Sequence, residues 1–337
     1  MPTNRATTLT LLDTLRALAE ADGPPGREGT LRRLATRLLP PSMRHVRTSP
    51  LGSLYAERES ARGVRLMLTA AFDEAAFIVS HVDQNAIAWL HPAGRIDPDS
   101  CSGVGIRFPD GLQATLGMIP GQTGNRTPAR MLADFGSVKS GLEMRIGAMG
   151  VFATPWSVDR TTIRGKALEG RLGVALALEV ARRTARAANT LALAFTALGQ
   201  VGHRAARAAA TDLAPAVAIA LGGYPVEEKK AVGGTNVRPG RGPVIVVRSG
   251  QFVAATPLVE GLRHAAARAH VTCQLAVSSE VLAGAEAVQS SLDGIVTAAL
   301  LVPCAGIGTP CQQVDTRDLE AAAAMLVKLI ERPLVLG

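Results

Sequence analysis

The sequence predicts an α/β fold: a mostly parallel sheet flanked by helices, with a small β-barrel or sandwich inserted in its middle. Two observations carry this. Helical and strand-like periodicities alternate at both ends of the chain. Between them lies a long stretch of short alternating runs separated by Gly, Pro, Asp and Asn. A third observation sets the scale. With 337 residues, 47% of them apolar, the chain can fill one large core and a smaller one.

The elements follow in order. Leu9 to Ala21 has helical periodicity, "DGPPGREG" (22–29) is a turn, and Thr30 to Leu39 is a second helix. Short strands are expected near Arg44–Thr48 and Ser53–Glu57, then an apolar strand from Val64 to Ala71. From Asp73 to Pro155 come "AFIVSHVD", "AIAWLHPAG", "VGIRFPDG", "LQATLGMIP", "MLADFG" and "GVFATPW", with "SVKSGLEMR" as the one helix-like piece. Beyond Lys166 the alternation resumes: helix Gly173–Ala187, strand Thr190–Ala197, helix His203–Asp212, strands Val217–Leu221 and Val244–Val247. Helix Thr256–Ala269, strand Thr272–Val277, helix Ala285–Leu292, strand Val296–Val302 and helix Asp318–Ile330 complete it. The expected division is one discontinuous α/β domain, 1–72 with 156–337, and an inserted β domain, 73–155. The loop at 226–242 is long and polar enough to be disordered.

Composition narrows the function classes. The net charge is +8, which admits an acidic ligand, but the arginines are scattered and form no long basic block. Aromatics are only 3%, too few for a platform that stacks bases, so no nucleic-acid partner is expected. No apolar run approaches the ~20 residues of a membrane span. Four cysteines (Cys101, Cys273, Cys304, Cys311) lack C-x-x-C spacing, and the first residues lack a signal peptide's order, so the expected location is the cytoplasm. There is no Gly-x-Ser-x-Gly elbow, phosphate loop or dinucleotide fingerprint.

Six stretches in order carry a resemblance: "GPPGREGTLRR", "SPLGSLYA", "LTAAFDEAAFIVSHVD", "GKALEGRLG", "FTALGQVGHRAA" and "GRGPVI". Together they resemble the dinuclear-metal aminopeptidases that include the glutamyl and the tetrahedral aminopeptidases, sometimes called cellulase-M-like. The resemblance covers nearly the whole chain. It implies two ions, zinc or cobalt, one bridging carboxylate, further His and carboxylate ligands, and a glutamate acting as general base. It also implies pairing of subunits through the insert, and assembly up to a dodecamer.

Transferred position by position, those roles fall on residues that mostly cannot perform them. The first ligand histidine falls on Ala71, and the aspartate that orients it on Asp73. The bridging aspartate falls on Glu169, the general base on Gly199, and the glutamate beside it on Gln200. A further ligand aspartate falls on Gly222, and the last histidine on Gly308. The Thr-Asp-Ala stretch upstream of that histidine is "SSEVLAG" here. The expectation is therefore no metal and no catalytic residue, with Gly199 and Asp73 as vestiges of the catalytic pair. A rebuilt site would draw on Asp73, Glu169, His203, Cys304 and Cys311. His81 falls in the strand pattern of the insert and reads as structural, and His45, His91, His264 and His270 show no ligand spacing.

Three functions follow, in order. The first is a non-catalytic structural, regulatory or peptide-binding homologue, homodimeric or larger, able to mix with an active relative. The second is a metal-dependent hydrolase with a rebuilt site. The third is a binding module for an acidic ligand.

Overall fold

The computed structural model describes residues 9–85, 87–109, 111–119, 130–136, 145–184, 188–226 and 236–334. The expected "SVKSGLEMR" helix and most of the 226–242 loop lie outside them.

Helices α1 (Leu11–Glu20) and α2 (Gly29–Leu38) open the chain, and strands β1 (Arg44–Thr48), β2 (Leu54–Arg58) and β3 (Arg65–Ala71) follow. Thr10 caps α1 reciprocally. Its hydroxyl accepts the Asp13 N–H, and the Asp13 carboxylate accepts the Thr10 N–H. Strands β4 (Ala76–Val82), β5 (Ala88–Ala93), β6 (Val104–Arg107), β7 (Gln113–Ile119), β8 (Arg130–Asp134) and β9 (Met149–Phe152) come next. The chain returns through β10 (Ser157–Asp159) and β11 (Thr162–Gly165) to helix α3 (Leu168–Arg183), β12 (Thr190–Thr196), α4 (Arg204–Leu213) and β13 (Val217–Val226). It continues with β14 (Val244–Ser249), β15 (Phe252–Val253), α5 (Thr256–Ala269), β16 (Gln274–Ser278) and α6 (Ala285–Gln289). It ends with β17 (Val296–Ala305), β18 (Gln312–Asp315) and α7 (Thr316–Ile330). None of the described helices is long and apolar enough to cross a membrane.

The large sheet has 12 strands, ordered β1-β2-β12-β3-β13-β17-β18-β11-β10, with β14, β15 and β16 joined beside β17. Its centre, β12-β3-β13-β17, is parallel. Those strands are buried on both faces and read as near-continuous apolar runs. Shorter strands add antiparallel on either side.

Helix α3 begins at Leu168, five residues before the expected Gly173, and is buried along most of its length. Glycine weakens a helix by ~1 kcal/mol relative to alanine, and that cost hid its first turns. Packing explains them. A Cβ on Gly173 would lie 2.6 Å from the Leu221 carbonyl oxygen and 2.8 Å from the Ala70 Cβ. The missing side chain lets α3 lie directly against β3 and β13. Strand β17 likewise runs past the expected Val302, because Pro303 to Ala305 keep their register with Tyr224 to Val226.

The insert is a closed barrel, β4-β5-β8-β7-β6-β9. Phe77, Val79, Leu90, Ile106, Phe108, Leu116 and Phe152 fill it, and the Phe77 and Phe152 rings meet edge to face at 5.1 Å. Closure turns Ile106, Phe108, Leu116 and Phe152 inward, while Ile119 at the end of β7 stays exposed. Ile106 and Phe108 are both buried. Period-two alternation puts i and i+2 on one face, and the turn after β6 keeps Phe108 inside. Arg107, between them, reaches the α/β body and ion-pairs with Asp22 at 2.7 Å.

Candidate functional site

The parallel strands end together. Ala71 closes β3 opposite Thr196 of β12. Just beyond, Gly199–Val201 forms a single 3-10 turn between two left-handed residues, Leu198 (φ 58°) and Gly202 (φ 117°). Buried Asp73 holds this turn: Oδ1 accepts the Gly199 N–H at 2.9 Å and Oδ2 the Gln200 N–H at 2.8 Å. Glu28 accepts the Leu198 N–H at 3.0 Å. Burial pushes the Asp73 carboxyl from 3.8 up to about 7, against the two amides that favour its ionised form.

These ends open into a cavity of about 150 Å³ whose lining includes Ala71, Glu169, Gly199, Gln200, Gly222 and His203. Gly308 borders an adjoining cleft with Asp73, Glu169 and Gln200. The fold thus gathers the positions singled out by resemblance, from Ala71 to Gly308, around this cavity and the cleft beside it. The small residues there are packed. A Cβ on Gly199 would overlap the Ala71 methyl and lie 2.9 Å from Asp73 Oδ1. One on Gly222 would lie 3.2 Å from the Glu169 carbonyl oxygen.

Glu169 stands in the first turn of α3, where a carboxylate suits the helix dipole. Its N–H donates to Gln312 Oε1 at 2.7 Å. The Gln200 amide hydrogen-bonds its carboxylate, and burial raises that carboxyl above its ordinary range. Arg95, from the insert, reaches over the cavity and pairs with Glu280, at 2.5 and 3.4 Å. Glu280 belongs to "SSEVLAG".

His203 sits at the start of α4, where its carbonyl accepts the Ala206 N–H at 3.0 Å. Burial lowers its imidazole pKa. Cys304 is buried beneath Gly223, and desolvation drives its thiol well above the ordinary value. Cys311 lines a separate surface groove with Gly306 and Thr309. Among the described residues no three His, Cys, Asp or Glu side chains form a group able to hold a metal ion. Asp73, Glu169, His203, Cys304 and Cys311 are therefore not assembled into one ligand set.

Beside the cavity runs a buried ion network that the sequence did not mark. Lys166 Nζ donates to Asp22 at 2.7 Å and to Glu74 at 2.6 Å. Glu74 also accepts from Arg171 at 3.2 Å and from the Gly23 N–H at 2.8 Å. The only local signal was the Gly-Lys-Ala-Leu stretch itself. Arg95 and Gln312 had none, being brought in from other parts of the chain.

Comparison with known proteins decides the family. The model of the M42 glutamyl aminopeptidases matches residues 52–325. The chain belongs to the M42 glutamyl aminopeptidase family. It is 22% identical to the lysyl aminopeptidase of Pyrococcus furiosus over 335 residues, covering 94% of this chain and 96% of that protein. An aminopeptidase from the archaeon Desulfurococcus kamchatkensis superposes with a TM-score of 0.88 at 23% identity, covering 95% and 94% of the two chains. The Pyrococcus horikoshii TET1 peptidase superposes at 0.82 with 20% identity over 95% and 99%, and that protein assembles into a tetrahedron or a large octahedral shell. In this M42 chain the carboxyl ends of the parallel strands thus carry the cavity, as expected for an open α/β sheet.

Proposed function

We propose that this chain is an M42-family protein without the dinuclear metal site and general base, acting as a non-catalytic structural, regulatory or peptide-binding homologue. The observation that carries this reading is the packing of Ala71 against Gly199. Where the resemblance puts a ligand histidine and the catalytic glutamate, the chain has a methyl group and a glycine, closed together. Gly222 and Gly308 offer no side-chain donor, and Gln200 offers a neutral amide. Asp73 has both oxygens committed to backbone amides. Glu169 alone remains, and one carboxylate does not fit a pair of divalent cations.

The barrel, residues 73–155, is the proposed subunit-pairing domain. Pairing can outlast catalysis, because its residues differ from those of the cavity. A homodimer or a larger shell of up to twelve subunits, alone or mixed with an active relative, is the proposed assembly, and the cytoplasm the proposed location.

The test is metal content and hydrolysis. Protein purified without chelator should carry less than two equivalents of zinc or cobalt, and should not hydrolyse aminoacyl anilides above background. Stoichiometric metal, or turnover abolished by Glu169→Gln, would establish the rebuilt hydrolase instead.

A further inference from the structure

Among the described residues, strands β1, β10, β15 and β16 of the large sheet each pair with a single neighbour. An open edge invites another strand unless charge, a bulge, shortness or a covering group blunts it. Strand β1 carries Arg44, His45 and Arg47 and shifts register between Arg44 and Arg47. Strand β10 is only 3 residues long and ends at Asp159. On β15 the Gln289 amide takes both the Val253 N–H and the Val253 carbonyl. Strand β16 (QLAVS) has no charge, no proline and no such cover among the described residues. Its Leu275 and Val277 are 54% and 55% exposed. Val277 and Val253 both pair with Arg248 of β14, so the exposed valines flank one row across the sheet.

The backbone of β16 selects what can cover it. Gln274 donates its N–H to the Pro243 carbonyl at 2.8 Å, so its polar backbone groups face β14. Residues alternate along a strand, so Ala276 also faces β14, while the N–H and C=O of Leu275 and Val277 face outward. We propose that a second copy of this chain adds its own β16 antiparallel to this edge, about a two-fold axis at Ala276. Leu275 then lies opposite Val277 of the second copy, and Val277 opposite its Leu275. Each such pair exchanges both backbone bonds, about four across the axis. The exposed side chains meet as Leu–Val pairs on one face, and the small Ala276 residues meet at the axis. The contact is isologous and self-complementary, as a closed dimer requires. It is a different surface from the barrel.

Light scattering on the full chain at micromolar concentration tests it. Leu275→Lys with Val277→Lys puts charge on exposed positions and should lower the particle mass about twofold, with the urea midpoint unchanged. Val277→Pro removes only an outward N–H, which an edge strand tolerates, and should have the same effect. A disulfide reads the register. Residues in such a pair have Cα atoms ~5.5 Å apart, within disulfide reach. Oxidation should therefore link copies that carry Leu275→Cys and Val277→Cys together. It should not link the wild type or either single variant, whose like positions lie ~7–8 Å apart. Ile146→Asp, on the barrel, should leave this cross-link intact, so loss of barrel pairing and loss of edge pairing are read separately. A monomeric wild type overturns the inference. So does a particle mass unchanged by the edge variants, which would leave the edge to a strand of another protein. Cross-linking no better in the double variant than in the single ones overturns the two-fold register.

Discussion

The Ala71 methyl occupies the space into which a side chain on Gly199 would project. The two residues are complementary, and changing either alone disturbs the other. Gly199→Ala should cost about 1–3 kcal/mol as an overpacking change. Adding Ala71→Gly should recover part of it, a coupling that a double-mutant cycle in urea measures. On the proposed non-catalytic reading, Gly199→Glu should not create hydrolytic activity, because the Ala71 methyl fills the space its side chain needs.

Asp73 predicts a pH dependence of stability. Its folded-state pKa of about 7 lies above the ordinary 3.8 because burial outweighs its two amide bonds. Between those values the folded chain holds the proton more than the unfolded chain does. This contribution is full below pH 3.8 and is lost as pH rises to about 7. Asp73→Asn should flatten that segment of the difference between denaturation curves measured at successive pH values. An unchanged slope would show that the side chain is ionised throughout.

The Lys166–Glu74 pair predicts a large destabilisation. Both side chains are 2% exposed, so removing Lys166 leaves the buried Glu74 with Arg171 as its one remaining described cation and takes a partner from Asp22. Lys166→Met should cost about 3–5 kcal/mol, read as a lowered urea midpoint. A cost below about 1 kcal/mol would match a surface pair and contradict this burial.

The barrel predicts a contrast between buried and exposed apolar positions. Ile106→Asp and Phe108→Asp should both unfold the barrel, since each puts a charge into its core. Ile146, 75% exposed, should accept Asp without loss of fold. If the barrel pairs subunits through that face, light scattering will show a smaller particle for Ile146→Asp at micromolar concentration. An assembly that survives deletion of the barrel would place the interface elsewhere.

What the sequence determined by itself was local. Alternation at period two marked the barrel strands, and continuous apolar runs marked the central parallel strands, while the proposed loss of an acid at Gly199 came from the resemblance of its stretch to the family. The elements misjudged were those where a distant partner outweighed local preference, as where Gly170 and Gly173 admit α3 against β3 and β13. Tertiary structure alone decided the cavity. It set Ala71 against Gly199, spent both Asp73 oxygens on amides 126 and 127 residues away, and brought Arg95 to Glu280 across 185 residues. Such pairs leave no periodic trace, because the distance between them is set by how whole strands and helices pack, not by any spacing along the chain.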